Sequence, residues 1–162
     1  MMIVLGVDPG SVVTGYGLVE KKGNKMTCIH SNAINLPRDL PFFQRIHNIY
    51  QTMVDVMTRF SPREMAIEDM FFAKNVKSAL KIGHARGAVL IAATQCDLKI
   101  FEYSPLEIKK AVVGYGRATK EQVRSMVQVI LKLDHQPGLD TADALAAAIC
   151  HLNWTSFGHQ HR

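Results

Sequence analysis

A short apolar run, Ile3-Val4-Leu5-Gly6-Val7, ends in a carboxylate and a turn, Asp8-Pro9-Gly10-Ser11. Unbroken apolar character over so few residues, bounded by turn residues, reads as a buried strand, and a buried strand needs a sheet around it. The next segment, Thr14-Gly15-Tyr16-Gly17-Leu18-Val19-Glu20, alternates as an adjacent strand does. Lys22-Gly23-Asn24-Lys25 turns the chain, and Met26 to His30 reads as a third strand. The opening therefore predicts an antiparallel meander with short turns. A dinucleotide-binding turn is excluded, because Gly10, Gly15 and Gly17 do not match G-x-G-x-x-G and no helix opens after Asp8.

Helices begin later. Phe43, Ile46, Ile49, Tyr50, Met53, Val54, Met57 and Phe60 recur at helical spacing up to a stop at Ser61-Pro62. Met65-Ala66-Ile67-Glu68 is a short strand ending in a carboxylate, and Lys74 to about Ala93 is a second helix. Lys99 to Tyr103 is a further strand. Capping boxes at Ser104-Pro105-Leu106-Glu107 and Thr119-Lys120-Glu121-Gln122 each open a helix. A last helix follows the loop at Asp134–Gly138 and runs from Asp140 to about Asn153, its middle almost all Ala, Leu and Ile. Three antiparallel strands followed by strands alternating with helices predict an α/β fold: a mixed sheet flanked by helices, in the order of a ribonuclease-H-like domain. With 162 residues there is room for one such domain, placed at 1–153 with a short tail at 154–162.

Composition narrows the class. Hydrophobic residues at 48% and charged residues at 20% belong to a globular chain, not a disordered one. Cys28, Cys96 and Cys150 are far apart, so neither a disulfide framework nor a zinc knuckle is suggested and a reducing compartment is expected. The opening run is too short for a signal segment, and no run approaches the ~20 apolar residues of a membrane helix. A cytoplasmic location is the expectation.

Four carboxylates stand out by position. Asp8 and Glu68 each end a strand, where α/β sheets present ligand-binding groups. Asp140 and Asp143 are spaced i, i+3 in the first turn of an Ala-rich helix and share a face. Each has a plainer reading: Asp8 as a turn residue, Glu68 as the partner of a lysine, the aspartate pair as complements of the helix dipole. Brought together, they would repel one another unless cations sat among them. All-oxygen donors point to Mg2+, with Mn2+ as a substitute, and one or two such ions suit phosphodiester hydrolysis.

The remaining charge agrees, since nineteen Lys and Arg then face only ten other acidic residues. Lys74, Lys77, Lys81 and Arg86 around the second helix, and Lys109, Lys110, Arg117, Lys120 and Arg124 further on, are candidates for phosphate contacts, although any one of them could simply be a solvated surface charge. Phe71 and Phe72 follow the Glu68 strand and suit either the core or a stack on an unpaired base. The second helix is apolar over much of its circumference, as core or as a twofold dimer interface.

Taken in order, Asp8-Pro9-Gly10-Ser11, Thr14-Gly15-Tyr16-Gly17, Ala66-Ile67-Glu68, Ala73-Lys74-Asn75, Ser78-Ala79-Leu80-Lys81, Ala85-Arg86-Gly87, Val112-Val113-Gly114 and Asp140-Thr141-Ala142-Asp143-Ala144-Leu145-Ala146 closely resemble the RuvC family of crossover-junction endodeoxyribonucleases. The likeness runs from Ile3 to about His151. It implies a homodimer that cuts four-way Holliday junctions by paired, symmetric nicks leaving ligatable ends, in concert with a RuvA–RuvB branch-migration complex. It also implies Asp8, Glu68, Asp140 and Asp143 as catalytic metal ligands, Lys109 and Lys120 as basic residues that assist at the scissile phosphate or bind DNA, and Phe71 as the residue at the position that stacks on junction bases. Three rivals differ in observable ways: an actin-like ATPase, a ribonuclease of the same fold, and a dimer that shapes junctions without cutting them.

Overall fold

A computed structural model describes residues 2–69 and 75–156. The strands are β1 (Met2–Asp8), β2 (Val13–Lys22), β3 (Lys25–Asn35), β4 (Glu64–Glu68) and β5 (Lys99–Tyr103). The helices are α1 (Phe42–Phe60), α2 (Val76–Gln95), α3 (Pro105–Val113), α4 (Lys120–Leu131) and α5 (Leu139–Ser156). One sheet runs in the order β3-β2-β1-β4-β5. β1 pairs antiparallel with β2, and β2 with β3, whereas β1–β4 and β4–β5 are parallel. Gly23, at φ 58°, supplies the left-handed residue of the β2–β3 turn. The parallel pairs need long crossovers, which α1 and α2 provide.

Strand parity divides the core. Leu5, Val7, Leu18, Met65 and Ile67 pack with Ile49, Met53, Val89 and Ala92 of α1 and α2. Val4, Val19 and Ala66 pack on the opposite side with Leu145, Ala148 and Ile149 of α5, backed by Ile108 and Val127 of α3 and α4. Successive strand residues point to opposite faces, so Asp8, in step with Val4 and Gly6, and Glu68, in step with Ala66, belong to the α5 side. Buried His151 helps fix α5 there. The Tyr103 hydroxyl lies 2.7 Å from its Nδ1, Glu64 Oε2 lies 2.7 Å from its Nε2, and Phe101 stacks at 4.4 Å.

Several boundaries differ from expectation. β3 continues to Asn35, five residues past His30, because pairing with β2 persists to Val13 across a bulge at Leu18/Val19. α2 opens at Val76 behind Asn75, whose side chain accepts from the Ser78 amide. α5 extends beyond Asn153 to Ser156 and so absorbs the first three residues of the expected tail. Both capping boxes form as read, on Ser104 with Glu107 and on Thr119 with Gln122. No helix among the described residues is long and apolar enough to cross a membrane.

Candidate active site

Parallel pairing sets Val7 opposite Ile67, which brings the adjoining carboxylates, Asp8 and Glu68, to neighbouring strand ends. On its other flank Asp8 is in register with Gly15 of β2. Gly15 is where α5 touches down: a Cβ added there would stand 2.1 Å from the Asp140 carbonyl oxygen. A backbone without a side chain thus lets the first turn of α5, with Asp140 and Asp143, lie against the strand beside Asp8.

Electrostatics records the crowding. Asp8 is pushed up from 3.8 to about 7, first by burial and then by Asp143, Asp140 and Glu68, with Lys120 acting in opposition. Glu68 is also raised, by burial and then Asp143, against the pull of Lys120, Lys109 and Arg86. Lys120 donates to Asp143 Oδ2 at 2.9 Å, which holds its ammonium above the ordinary lysine value. Glu68, Lys109, Lys120 and Asp143 line a cleft of about 140 Å3. Among the described residues no three His, Cys, Asp or Glu side chains stand at ligand spacing, so the carboxylates share a field without forming a closed coordination shell. Their chemistry still fits a hard cation: every donor is a carboxylate oxygen, and burial together with three neighbouring carboxylates makes Asp8 costly to ionise.

The predicted DNA contacts fall into three groups. Lys77, Lys81, Lys110 and Arg117 are exposed, and Lys109 lines the cleft. Arg86 is a correction. It is 8% exposed, donates through Nη1 to the Glu68 carbonyl at 2.5 Å and pairs through Nη2 with Glu102 at 2.8 Å. Its bond to the Glu68 carbonyl and its ion pair with Glu102 make it a brace for the end of β4 rather than an exposed phosphate contact. Arg124 is likewise engaged, its Nε donating to the Pro137 carbonyl. Phe71, Phe72 and Lys74 lie outside the described residues.

Sequence reasoning passed over Arg45. It is buried on the inner face of α1 with Ile49 and Met53, and Nη1 donates to the Ser11 carbonyl at 2.9 Å. An arginine within an apolar stripe was the available signal.

A mixed sheet in this order, carboxylates at two adjacent strand ends and a covering helix that brings two more, places the protein in the class of ribonuclease-H-like nucleases. Its family follows from comparison with known proteins. The model of the RuvC family, crossover junction endodeoxyribonuclease RuvC, matches residues 4–151. The crossover junction endodeoxyribonuclease RuvC of Halothermothrix orenii is 49% identical over 153 residues, 94% of this chain and 93% of that protein. That of Legionella pneumophila is 49% identical over 151 residues, 93% of this chain and 87% of that protein. The structure of Thermus thermophilus RuvC in complex with a Holliday junction substrate superposes with a TM-score of 0.92 at 36% identity, covering 98% of this chain and 97% of that one. The chain belongs to the RuvC family of crossover junction endodeoxyribonucleases.

Proposed function

We propose that this protein resolves four-way DNA junctions by paired, symmetric nicks, and that its chemistry depends on Mg2+ or Mn2+ held by Asp8, Glu68, Asp140 and Asp143. The observation that carries the reading is the gathering of carboxylates, with Asp8 and Glu68 at neighbouring strand ends and the α5 turn of Asp140 and Asp143 set against Gly15, a crowding that together with burial raises Asp8. A site that makes its own acids costly to ionise is compensated by divalent cations. Bound there, such an ion supplies Lewis-acid stabilisation of the phosphoryl oxygens and lowers the pKa of an attacking water. The protein's own part is to hold the ligands: strand ends fix Asp8 and Glu68, and the α5 turn presents Asp140 and Asp143. Lys109 and Lys120 place cations at the cleft mouth, where the phosphate charge is neutralised. Lys120, bonded to Asp143 at 2.9 Å, would be available to a phosphate oxygen if Asp143 were engaged by a cation.

Symmetric cutting requires two copies. Val76, Leu80 and Ile91 expose an apolar run along α2, and a twofold pairing through this face supports the homodimer reading. Junction DNA is the partner best supported, through the superposition on a junction-bound RuvC; handover from RuvA–RuvB completes the proposal.

The test is incubation of the protein with a synthetic mobile junction, with both cut positions mapped. We expect paired cuts at equivalent sites with Mg2+ and none with EDTA. Asp8→Asn should lower cutting about 10²- to 10³-fold, as for removal of a principal electrostatic group, while junction binding persists. Cutting by Asp8→Asn at the normal rate in saturating Mg2+ would remove Asp8 from the ligand set. Preference for an RNA helix, or junction binding without cuts, would favour a rival reading.

A further inference from the structure

A second, larger cleft of about 640 Å3 opens on the other side of the α5 turn, between the loop after β1, the start of α1 and the first turns of α2. Ser11, Arg38, Arg45, Ser78, Lys81 and Asp140 line it. The geometry points to this cleft as a second DNA-backbone subsite, in which Arg38, Arg45 and Lys81 hold a phosphate neighbouring the one that is cut. The inference rests on the nuclease reading and extends it.

Arg45 carries the argument. It is 8% exposed, as Arg86 is, but the two guanidiniums are satisfied differently. Arg86 has the Glu102 carboxylate as a counter-charge and the Glu68 carbonyl as an acceptor, although its buried Nη2 makes no well-aligned hydrogen bond. Arg45 has the Ser11 carbonyl and the face of Phe42 at 5.3 Å, and its buried Nε has no hydrogen-bond partner. No carboxylate pairs with Arg45 among the described residues. A guanidinium withdrawn from water without a counter-charge is costly to keep, and a phosphate, whose oxygens match its planar fork, relieves that cost. Arg38 and Lys81 are exposed at the rim and, among the described residues, make no ion pair. The two serines add hydroxyl donors, and the first turn of α2 contains no acidic residue to repel an anion.

Position adds a second argument. Asp140 lines the large cleft and Asp143 the small one, although they are one helical turn apart. A strand with its scissile phosphate at the carboxylates therefore runs from one cleft into the other. The large cleft falls within the ~300–1,000 Å3 typical of small-ligand sites, enough for a nucleotide-sized piece of backbone, whereas the small one admits little more than the reacting group.

The test uses the full-length chain and a four-way junction in Ca2+, read as binding affinity against salt concentration. Arg38→Gln/Lys81→Gln changes only rim residues and should flatten the log–log salt slope by about 0.9 for each lost phosphate contact. A scan with single neutral methylphosphonates around the cut position should find one site that weakens the wild type and leaves the double variant unaffected. Arg45→Met should show the same insensitivity, with thermal melting as its folding control. If Arg45 merely pins the Ser11 loop, the variant will cut poorly yet stay sensitive to that methylphosphonate, and the subsite is refuted. An unchanged slope and scan in Arg38→Gln/Lys81→Gln refute it too while leaving the nuclease reading intact. Failure of the wild type to bind or cut any junction overturns both.

Discussion

α5 and α2 are both long, rich in Ala and Leu, and apolar over much of their circumference, yet the fold uses them in opposite ways. Between Thr141 and Leu152 every residue of α5 except Asp143 is buried, whereas α2 leaves Leu80 59% and Ile91 62% exposed. The cause lies in the surfaces that receive them. Under α5 the sheet presents Gly6, Gly15 and Gly17, and added Cβ atoms would stand 1.9 Å from the Ala144 carbonyl oxygen, 2.1 Å from that of Asp140 and 2.4 Å from Leu145 Cδ2. The glycines of α2 itself, Gly83 and Gly87, have nothing within 4 Å of a Cβ. Helix composition does not reveal how deeply a helix is set; the bare strand beneath it does. Depth matters because the acidic turn of α5 must reach Asp8.

This contrast is best broken at Gly15. Gly15→Ala forces the Asp140 backbone away from the strand, so cleavage should fall roughly 10²-fold, the usual consequence of a misplacement near 1 Å. Stability should fall by about 1–3 kcal/mol, as in overpacked cores. Single-turnover cutting and urea denaturation check both, and a variant as active as wild type would show that α5 need not lie so close.

On α2 the exposed face is the one to charge. Leu80→Glu should weaken self-association about 10- to 100-fold, the equivalent of one leucine's burial, and turn paired cuts into single nicks. Sedimentation analysis and cut mapping read the two effects. A variant that remains dimeric would place the interface elsewhere.

The crowding that α5 imposes on Asp8 predicts a pH signature. In the folded protein without divalent ions Asp8 keeps its proton to about pH 7, while the unfolded chain loses it near 3.8. Between these values the folded state binds more protons, so the contribution of Asp8 to stability declines as pH rises. Asp8→Asn should therefore gain on wild type by on the order of 1 kcal/mol between pH 5 and 8 in EDTA. Equal pH dependence in the two proteins would mean that Asp8 ionises normally.

The smallest effect has the opposite sign to Gly15→Ala. Gly83→Ala, inside α2 with open space around it, should stabilise the monomer by about 0.5–1 kcal/mol through reduced chain entropy. A lower Tm would indicate that a partner covers this position.

Much of this architecture is legible locally. The stop at Ser61-Pro62, the two capping boxes and the alternation through β2 mark element boundaries because capping, proline geometry and strand periodicity act within a few residues. Asp8, Glu68, Asp140 and Asp143 stand out for the same reason, each breaking or opening a regular element. Helix periodicity locates the face that carries Arg86 without naming its partner, Glu102, sixteen positions further on. Arg45 went unnoticed because nothing near it in sequence announces the Ser11 carbonyl it meets.

By itself the chain's order of residues determined which segments become strands and helices, and which side of the sheet Asp8 and Glu68 must face, since pleat and helical pitch are short-range geometry. Only the tertiary structure decided how near α5 comes to Gly15, which of two equally buried arginines acquires a carboxylate, and how far burial raises Asp8. Those are properties of distances between remote segments, and such distances exist only once the backbones have packed.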